Sequence, residues 1–542
     1  MLIPPVPGHA AIKDRAALAA YAQARAASSF GATDQAARNY AAALAGSPDN
    51  QILALRAFNE AVEAGNKPLA LNAARRLENQ GRLGPEVALL LLGEALKDKD
   101  RKRASALIGT IEKDKVFAFM GPLLRAWTEI GSRQRDAGAL PLGAKIGGDS
   151  ELLSASYALE HRPLLLLANS QYDLGTAELR KVAGGASMRD QRLRIAGAAL
   201  LARKNKRRAA LDLLAGEEPA LVAARKLIEA GHPVPGEIGD ARSGIGELLV
   251  RVAGDLHRQE VDPLSLRFAR FATFFAPDNS EAWLVTSDLL NAAELRDGAL
   301  AALKSIRADD PFAALAADTR IGLLVANGNQ QAALQEAQAA VKAGATAGTW
   351  SRLGELYSEL GRHSEAADAF GQALALSGTV DATPRWSLHL LHGGALDESG
   401  NWPASRAALE AAYKLAPKEP IVLNYLGYAQ LERRENMKQA MALIAEASSL
   451  QPDNPEITDS LGWAHYLQGN LPKAIELLES AAAGQPSDPA INEHLGDAYY
   501  DAGRRYEARY AWKAAMIYAE EKDSARLRAK LEAGLKPETA SP

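Results

Sequence analysis

The sequence predicts an all-α solenoid of paired helices, on the strength of three observations. One helix-turn-helix pattern occurs twice between Pro455 and Ala515, with equivalent positions 34 residues apart, and a fixed period of this length is typical of helical repeat arrays. Small residues recur at its key positions, and apolar residues make up 47% of the chain while aromatic residues make up only 6%. The first copy carries Leu461, Gly462, His465, Gly469, Ala474, Leu478, Ala481 and Pro486, and the second carries Leu495, Gly496, Tyr499, Gly503, Ala508, Trp512 and Ala515.

Each position of the pattern has a physical reason. Gly462 lets the neighbouring helix approach closely, and Gly469 ends the first helix in a left-handed cap. Ala474 and Ala481 are seven residues apart and hold the second helix against the first,. Pro486 cannot continue a helix and closes the unit. The pattern therefore predicts two tightly packed helices in each repeat.

The unit that begins at Gly348 fills every diagnostic position of a known family. It resembles the tetratricopeptide repeat, whose pattern is W-x2-L-G-x2-Y followed by Ala, an aromatic residue, Ala and Pro. The resemblance implies a right-handed superhelix in which the first helix of each repeat lines a concave, partner-binding face. The matching residues are Trp350, Leu353, Gly354, Tyr357, Gly361, Ala366, Phe370 and Ala373.

The pattern is strong in the C-terminal half and degenerate in the N-terminal half. A Gly- and Pro-rich stretch without apolar periodicity separates the two halves, which predicts a linker there. The predicted organisation is a Pro-rich lead at 1–16, degenerate helical repeats at 17–230, a linker at 231–246, a regular array at 247–522, and a capping helix with a tail at 523–542.

Composition excludes several function classes. A net charge of −4 and a pI of about 6.2 give no electrostatic footprint for nucleic acid,. The absence of cysteine excludes disulfides, thiolate metal sites and thiol catalysis,. The phosphate-binding, nucleophile-elbow and zinc-protease motifs are absent as well,. We therefore predict no cofactor and no catalytic residue.

The compartment is left open between two interpretations. The N-terminal stretch is not a signal peptide as written, and the longest apolar runs are too short to cross a bilayer,. Lack of cysteine fits an oxidising compartment, which favours a periplasmic or outer-membrane-associated protein whose export signal or lipid-bearing leader was removed. The alternative is a cytoplasmic protein. The oligomeric state is not fixed by the sequence.

The resemblance also selects candidate partner-binding residues in the three C-terminal repeats. They lie two residues before the Leu of each Leu-Gly pair, directly after its Gly, or four to five residues beyond it. Aromatic and acidic side chains coincide there, which suits a peptide with basic and apolar side chains. The alternative is that Trp463 and Tyr466 pack into a neighbouring helix pair while the acids are solvated. The nine candidates are Asn424, Tyr428, Asp459, Trp463, Tyr466, Glu493, Asp497, Tyr500 and Asp501.

Three other features do not indicate a functional site: the groove positions of a carboxylate clamp, a pair of histidines and a basic cluster. The carboxylate-clamp variety of these repeats needs Lys, Arg and Asn at groove positions that here carry acids and Trp463. His389 and His392 lie three residues apart, but packing explains them better than metal binding. The basic cluster at 203–208 is interpreted as a solvated turn,.

The function predicted from these features is a non-enzymatic scaffold or adaptor that binds a protein or peptide. The terminal repeats resemble bacterial envelope proteins of this kind, including lipoproteins that deliver substrates to a processing protease. Two alternatives stay open: a structural self-assembly module, and an enzyme or regulatory subunit with a site in the irregular region 84–230.

Overall fold

The computed structural model describes residues 15–130, 149–378 and 384–541. Within these residues there are 29 α-helices and no strand, so the all-α helical-repeat prediction is confirmed. Most of the predicted lead at 1–16 lies outside the described residues. The chain divides into two compact units, residues 1–333 and residues 334–542.

The first unit contains seventeen described helices and the start of an eighteenth. They are α1 (Arg15–Ser29), α2 (Thr33–Gly46), α3 (Gln51–Glu63), α4 (Lys67–Asn79), α5 (Pro85–Lys97), α6 (Arg101–Glu112), α7 (Gly121–Thr128), α8 (Asp149–Ala168), α9 (Tyr172–Val182), α10 (Met188–Arg203), α11 (Arg207–Leu213), α12 (Pro219–Glu229), α13 (Ala241–Arg258), α14 (Asp262–Phe275), α15 (Ser280–Ala292), α16 (Arg296–Leu303), α17 (Ala313–Ala326) and α18 (Gln330–Ala343).

The second unit continues from α18 as a row of helix pairs followed by one more helix. These are α19 (Ala347–Glu359), α20 (His363–Leu376), α21 (Arg385–Glu398), α22 (Trp402–Leu415), α23 (Pro420–Glu432), α24 (Met437–Leu450), α25 (Pro455–Leu467), α26 (Leu471–Gly484), α27 (Pro489–Asp501), α28 (Arg505–Tyr518) and α29 (Glu521–Ala533).

Helix starts follow the capping chemistry of the sequence. The side chains of Asn50, Asn279, Asn454 and Asp488 each accept a hydrogen bond from the backbone N–H three residues later. Such caps satisfy amides that the helix itself leaves unpaired. The repeats of the second unit are therefore delimited by local signals that the sequence carries openly.

The helices of each pair approach closely at the predicted glycines. A Cβ atom built on Gly462 would lie 2.8 Å from Cγ of Leu478, and one on Gly496 would lie 2.3 Å from Cδ1 of Trp512. Ala474 on the facing helix is fully buried. A larger residue at either glycine has no space, which confirms close packing of the two helices.

The turn between paired helices recurs with the same backbone geometry in both units. In the second unit it is mostly glycine with positive φ, but in the first unit other residues adopt the same left-handed conformation. Lys99 follows the turn residue Gly65 by 34 positions, and Glu294 follows Glu260 by 34. The repeat register thus extends into the region where the sequence pattern is degenerate. The non-glycine residues with positive φ are Lys99, Ser170, Asn205, Glu260, Glu294, Arg434 and Asn436.

The predicted linker at 231–246 does not separate compact units. Helix α13 begins inside it at Ala241, and Gly244 packs directly against Trp127 of α7. One continuous apolar core runs from Ala24 to Leu323. The division between units falls instead at 333/334. Residues 231–240, between α12 and α13, form a non-helical connection within the first unit.

A buried ionic cluster joins four helices of the first unit. The Arg189 guanidinium on α10 donates to the carboxylates of Glu160 on α8, Glu247 on α13 and Glu281 on α15. Arg192 donates to the second oxygen of Glu247 at 3.2 Å. Burial raises the pKa of Glu247, but the two guanidinium groups outweigh this effect and leave the pKa below its ordinary value. The cluster fixes how these helices meet, because each buried charge needs its partner.

We expect Glu294→Gly to stabilise the first unit by about 1 kcal/mol, because glycine adopts the left-handed conformation without a Cβ penalty. Hydrogen exchange of α15 and α16 peptides in increasing urea measures the change. Glu294→Ala is the control, since it removes the carboxylate but keeps Cβ; an equal gain from it would contradict the explanation.

We expect Arg189→Met to destabilise the first unit by about 3–5 kcal/mol, because it leaves buried carboxylates without their cation. Hydrogen exchange in α8, α10 and α13 reports the loss. Arg203→Met is the matched control: it removes a surface pair with Glu237 and should cost no more than about 1 kcal/mol. Similar losses from both variants would show that the buried cluster is not special.

Candidate functional site: the first-helix ends of the second unit

Acidic residues stand at one equivalent position along the second unit. Five residues beyond the glycine at the Leu-Gly position, four of the five first helices end in a carboxylate; α25 ends in Leu467 instead. We name Glu359, Glu398, Glu432 and Asp501 the acidic row; they are the last residues of α19, α21, α23 and α27.

Helix stability does not explain the acidic row. The C-terminal end of a helix carries partial negative charge, so a carboxylate there is disfavoured and Lys or Arg is preferred. Glu359, Glu398 and Asp501 are exposed and gain little from packing. Repetition of an unfavourable placement in four helices points to a role in binding.

The carboxylates of neighbouring helices influence one another electrostatically. Burial raises the pKa of Asp397, Arg433 opposes the rise, and Glu398 adds to it. Burial also raises the pKa of Glu432, with Asp397 and Glu398 contributing despite the nearby Arg433. The acids at the ends of α21 and α23 therefore form one negative surface.

Arg433 compensates only part of this charge. Its guanidinium donates to Asp397 and lies 4.3 Å above the ring of Trp402. Nη1 of Arg433 lies 3.6 Å from Oε2 of Glu432. The Arg433 guanidinium is thus shared between two carboxylates, while no contact of Arg433 with Glu398 accompanies them in the described part of the chain.

Two tyrosines supply apolar area beside the acids. Burial raises the pKa of Tyr425 to about 12, with further contributions from Asp397, Glu398 and Glu432. Burial, followed by Glu432 and Asp459, raises the pKa of Tyr428. Both side chains are half-buried, so each keeps some exposed area in the repeat that carries Glu432.

Four of the nine predicted partner-binding residues are buried instead of open to a partner. Asp459 accepts from Nδ1 of His494 at 2.9 Å. The Trp463 ring is stacked between His494, at 4.1 Å, and Tyr466, at 4.5 Å. These positions lie where α25 packs against α27, so the alternative of packing describes Trp463 correctly. The four buried residues are Asp459, Trp463, Glu493 and Asp497.

The buried acids of α27 are bound by the capping helix. Glu493 accepts two hydrogen bonds from Arg526 and one from Nζ of Lys530. Asp497 accepts from the fully buried Lys530 and from Ser541. These carboxylates form part of the contact between α27 and the C-terminal segment, which the sequence did not anticipate.

The other five predicted residues keep some exposure. Tyr466 donates its hydroxyl proton to Asp501 at 2.7 Å, and Arg505 lies 4.6 Å from the centre of the Tyr500 ring. Asn424, Tyr428, Tyr466 and Tyr500 are half-buried, while Asp501 is exposed. Asp501 is the predicted residue that belongs to the acidic row.

Glu398 and Glu432 were missed although the signal for them was present. The rule that selected Asp501, five residues beyond the glycine, also selects both when it is applied to Gly393 and Gly427. The repeat that contains Gly393 carries His392 where the pattern has Leu, so the Leu-Gly pair that marks the position is missing there. Burial lowers the pKa of His392, and Nε2 of His392 lies near Gly371 on α20, in agreement with packing.

Metal sites, membrane spans and cavities in the described residues bear on other functions. No group of three or more His, Asp or Glu side chains in that part of the chain is placed to hold a metal ion. None of the described helices is long and apolar enough to cross a membrane. A cavity of about 600 Å³ in the first unit is lined by residues that include Arg192, Arg203 and Arg242. Arg192 and Arg203 are already paired with Glu247 and Glu237.

The model of one family matches the part of the second unit that carries Glu398, Glu432 and Asp501. The family is described as the tetratricopeptide repeat, and the matches cover residues 390–455 and 460–525. The second unit contains tetratricopeptide repeats. This confirms the resemblance to the tetratricopeptide repeat for the repeats from residue 390 onward.

A TPR repeat-containing protein of Pseudomonas aeruginosa is 44% identical over 55 residues, which is 10% of this chain. The match spans only 9% of that relative's length. Similarity to it therefore extends to little more than one tetratricopeptide repeat.

Solved structures with similar folds include a thermophilic TPR protein of Thermus thermophilus, with 20% identity and a TM-score of 0.30 over 35% of this chain and 98% of that one. A chain of the APC/C Cut9–Hcn1 hetero-tetramer has 15% identity and a TM-score of 0.37 over 96% of this chain and 97% of that one. Because both TM-scores are below 0.5, these likenesses say nothing about function.

The contact between Asp459 and His494 predicts a pH dependence of stability. Burial lowers the pKa of His494, but Asp459, Asp497 and Glu493 outweigh it and raise the pKa above the ordinary value. A raised pKa in the folded state means that protonation stabilises the fold. This contribution is fully present below about pH 6.5, the unfolded value, and is lost as the pH rises through the folded value.

We therefore expect the stability advantage of the parent over His494→Gln to be larger at about pH 5.5 than at about pH 9. Hydrogen exchange of α25 and α27 peptides in urea measures it at both values. His465→Gln is the control with the opposite sign, because burial and Lys473 lower the pKa of His465. A His494 effect independent of pH would contradict the ion pair.

Proposed function

We propose that this chain is a non-enzymatic interaction scaffold that binds a basic segment of a partner protein along the acidic row. Tetratricopeptide repeats suggest protein–protein interaction, which gives the general class. The observation that carries the specific proposal is the recurrence of carboxylates at the ends of α19, α21, α23 and α27.

The chemistry of the row defines the partner. Carboxylates at successive helix ends favour binding of Lys or Arg side chains. A bound cation also relieves the repulsion between carboxylates that contributes to the raised pKa values of Asp397 and Glu432,. Tyr425 and Tyr428 add aromatic area of the kind that dominates binding hot spots. A segment with two or more basic residues and an apolar or aromatic one between them fits these features.

The mechanism requires no large movement. The helix pairs are fixed by the close contacts at Gly462 and Gly496, so the acids are positioned before the partner arrives. A preorganised surface leaves most of the ordering cost with the partner segment. The scaffold therefore contributes geometry and charge, and the partner contributes the conformational change.

A second, more specific proposal concerns the compartment in which the protein acts. We propose a periplasmic or outer-membrane-associated adaptor, in which the partner is a processing protease or its substrate. The complete lack of cysteine supports an oxidising compartment,. A fusion of the native gene to a secretion reporter tests it, and a purely cytosolic reporter signal would reject it.

The central test replaces two acids of the row. We expect Glu398→Lys with Glu432→Lys to weaken binding of fluorescent Lys- and aromatic-containing peptides by at least about tenfold, which corresponds to about 1.4 kcal/mol. Fluorescence anisotropy with an array of such peptides measures the affinity. Binding by the parent should fall as salt is raised, because exposed charges are screened.

The matched control carries the same change of charge elsewhere in the unit. Glu446→Lys with Asp453→Lys alters two exposed acids on α24 and the following turn, away from the row. This variant should bind like the parent. Equal loss in both variants would reduce the proposal to a nonspecific effect of net charge, and the absence of any basic-peptide binding to the parent would reject it.

A further inference from the structure

Helix α28 carries a stripe of large apolar side chains that no other part of the described chain covers. Tyr506, Tyr510 and Ile517 are 84%, 72% and 73% exposed. They stand four and seven residues apart, which puts them on one face of the helix. We name these three residues the tyrosine stripe.

The fold of the unit does not require this stripe. The opposite face of α28 already supplies the packing residues, since Ala508, Trp512 and Ala515 are buried. Large side chains in contiguous exposure are uncommon on proteins that act alone, and tyrosine is among the residues enriched at binding hot spots. The stripe is therefore an interaction surface.

Basic residues run beside the stripe. Arg505, Arg509 and Lys513 are exposed and four residues apart. Their contacts within the described chain are to neutral groups: the Tyr500 ring, the carbonyl oxygen of Leu531 and the Tyr510 ring. Glu507, the acidic residue of α28, is bound by Arg504. The face is aromatic and net positive.

We propose that the tyrosine stripe of one molecule docks onto the acidic row of a second copy of this chain. The two surfaces have opposite charge and both lie on the second unit. This inference rests on the proposed function in one respect, because it uses the same acidic row, which a second copy occupies when no other basic partner is bound. The contact is heterologous: each copy offers its stripe to one neighbour and its row to another.

The dimensions of the two surfaces agree. Arg505 and Lys513 are eight residues apart, or about 12 Å along the helix. The ends of α21 and α23, which carry Glu398 and Glu432, lie side by side, since Arg433 on the α23 side donates to Asp397 on α21, and packed helices lie about 8–10 Å apart. Two cations of the stripe can therefore reach acids of two neighbouring repeats, while the tyrosines meet the half-buried Tyr425 and Tyr428.

Sedimentation of the full chain over a range of concentrations tests the proposal with three variants. The stripe variant carries Tyr506→Gln, Tyr510→Gln and Lys513→Glu, and the row variant carries Glu398→Lys and Glu432→Lys. The control carries Leu415→Gln and Leu450→Gln, two exposed leucines on other second helices. Circular dichroism establishes that all variants keep their helicity.

We expect the parent and the control to grow in mass with concentration, and each of the two other variants to stay monomeric alone. A mixture of the stripe and row variants should form a dimer, because one keeps an intact row and the other an intact stripe. The dimer should dissociate as salt is raised.

Three outcomes overturn the proposal. A monomeric parent at all concentrations removes the second copy as the occupant, and peptide binding by the acidic row would then leave the proposed function intact. Self-association of the row variant alone would indicate a stripe-to-stripe contact. Self-association of the stripe variant alone would place the interface elsewhere, and loss of peptide binding in the row variant would still decide the proposed function separately.

Discussion

The close approach of two helices around a left-handed turn is the constraint on which the rest of the structure depends. At each turn one residue takes positive φ, and beyond it the second helix runs back against the first at a distance set by glycine and alanine. Side chains on the first helix are then forced into two classes. Some lie between successive repeats, as Trp463 does, and others, such as Glu398 at a helix end, are left facing outward.

This division explains how far the sequence could predict the structure. The helix pairs of the second unit could be predicted because Gly469 and Gly503 mark the turns and the paired alanines mark the second helices. In the first unit the same turn is held by Lys99, Ser170 or Glu260, and these residues give no signal, since their left-handed conformation is imposed by packing on both sides. Charge and polarity along one chain cannot reveal that Arg189 meets acids from three other helices.

The candidate site shows the same limit. The nine residues were chosen by their position relative to the Leu-Gly pair of each repeat. This rule did not separate buried positions from exposed ones, because burial depends on which helix follows. Trp463 is covered by α27, and Asp497 by α29. Asp501 stands at the end of its helix and stays exposed, although it accepts a hydrogen bond from Tyr466 of the preceding first helix. To predict the exposed surface of such an array, the ends of the first helices must be considered, because neighbouring repeats cover the side chains less there.

Lys530 has a consequence for how this array changes in evolution. Its fully buried ammonium group binds both Glu493 and Asp497, so the last helix pair is completed by one specific cation. Duplication of a unit between α28 and α29 would move that cation away and bury two acids against a helix that has no lysine at the equivalent place. Growth of the array at this junction therefore requires a charge change at the same step.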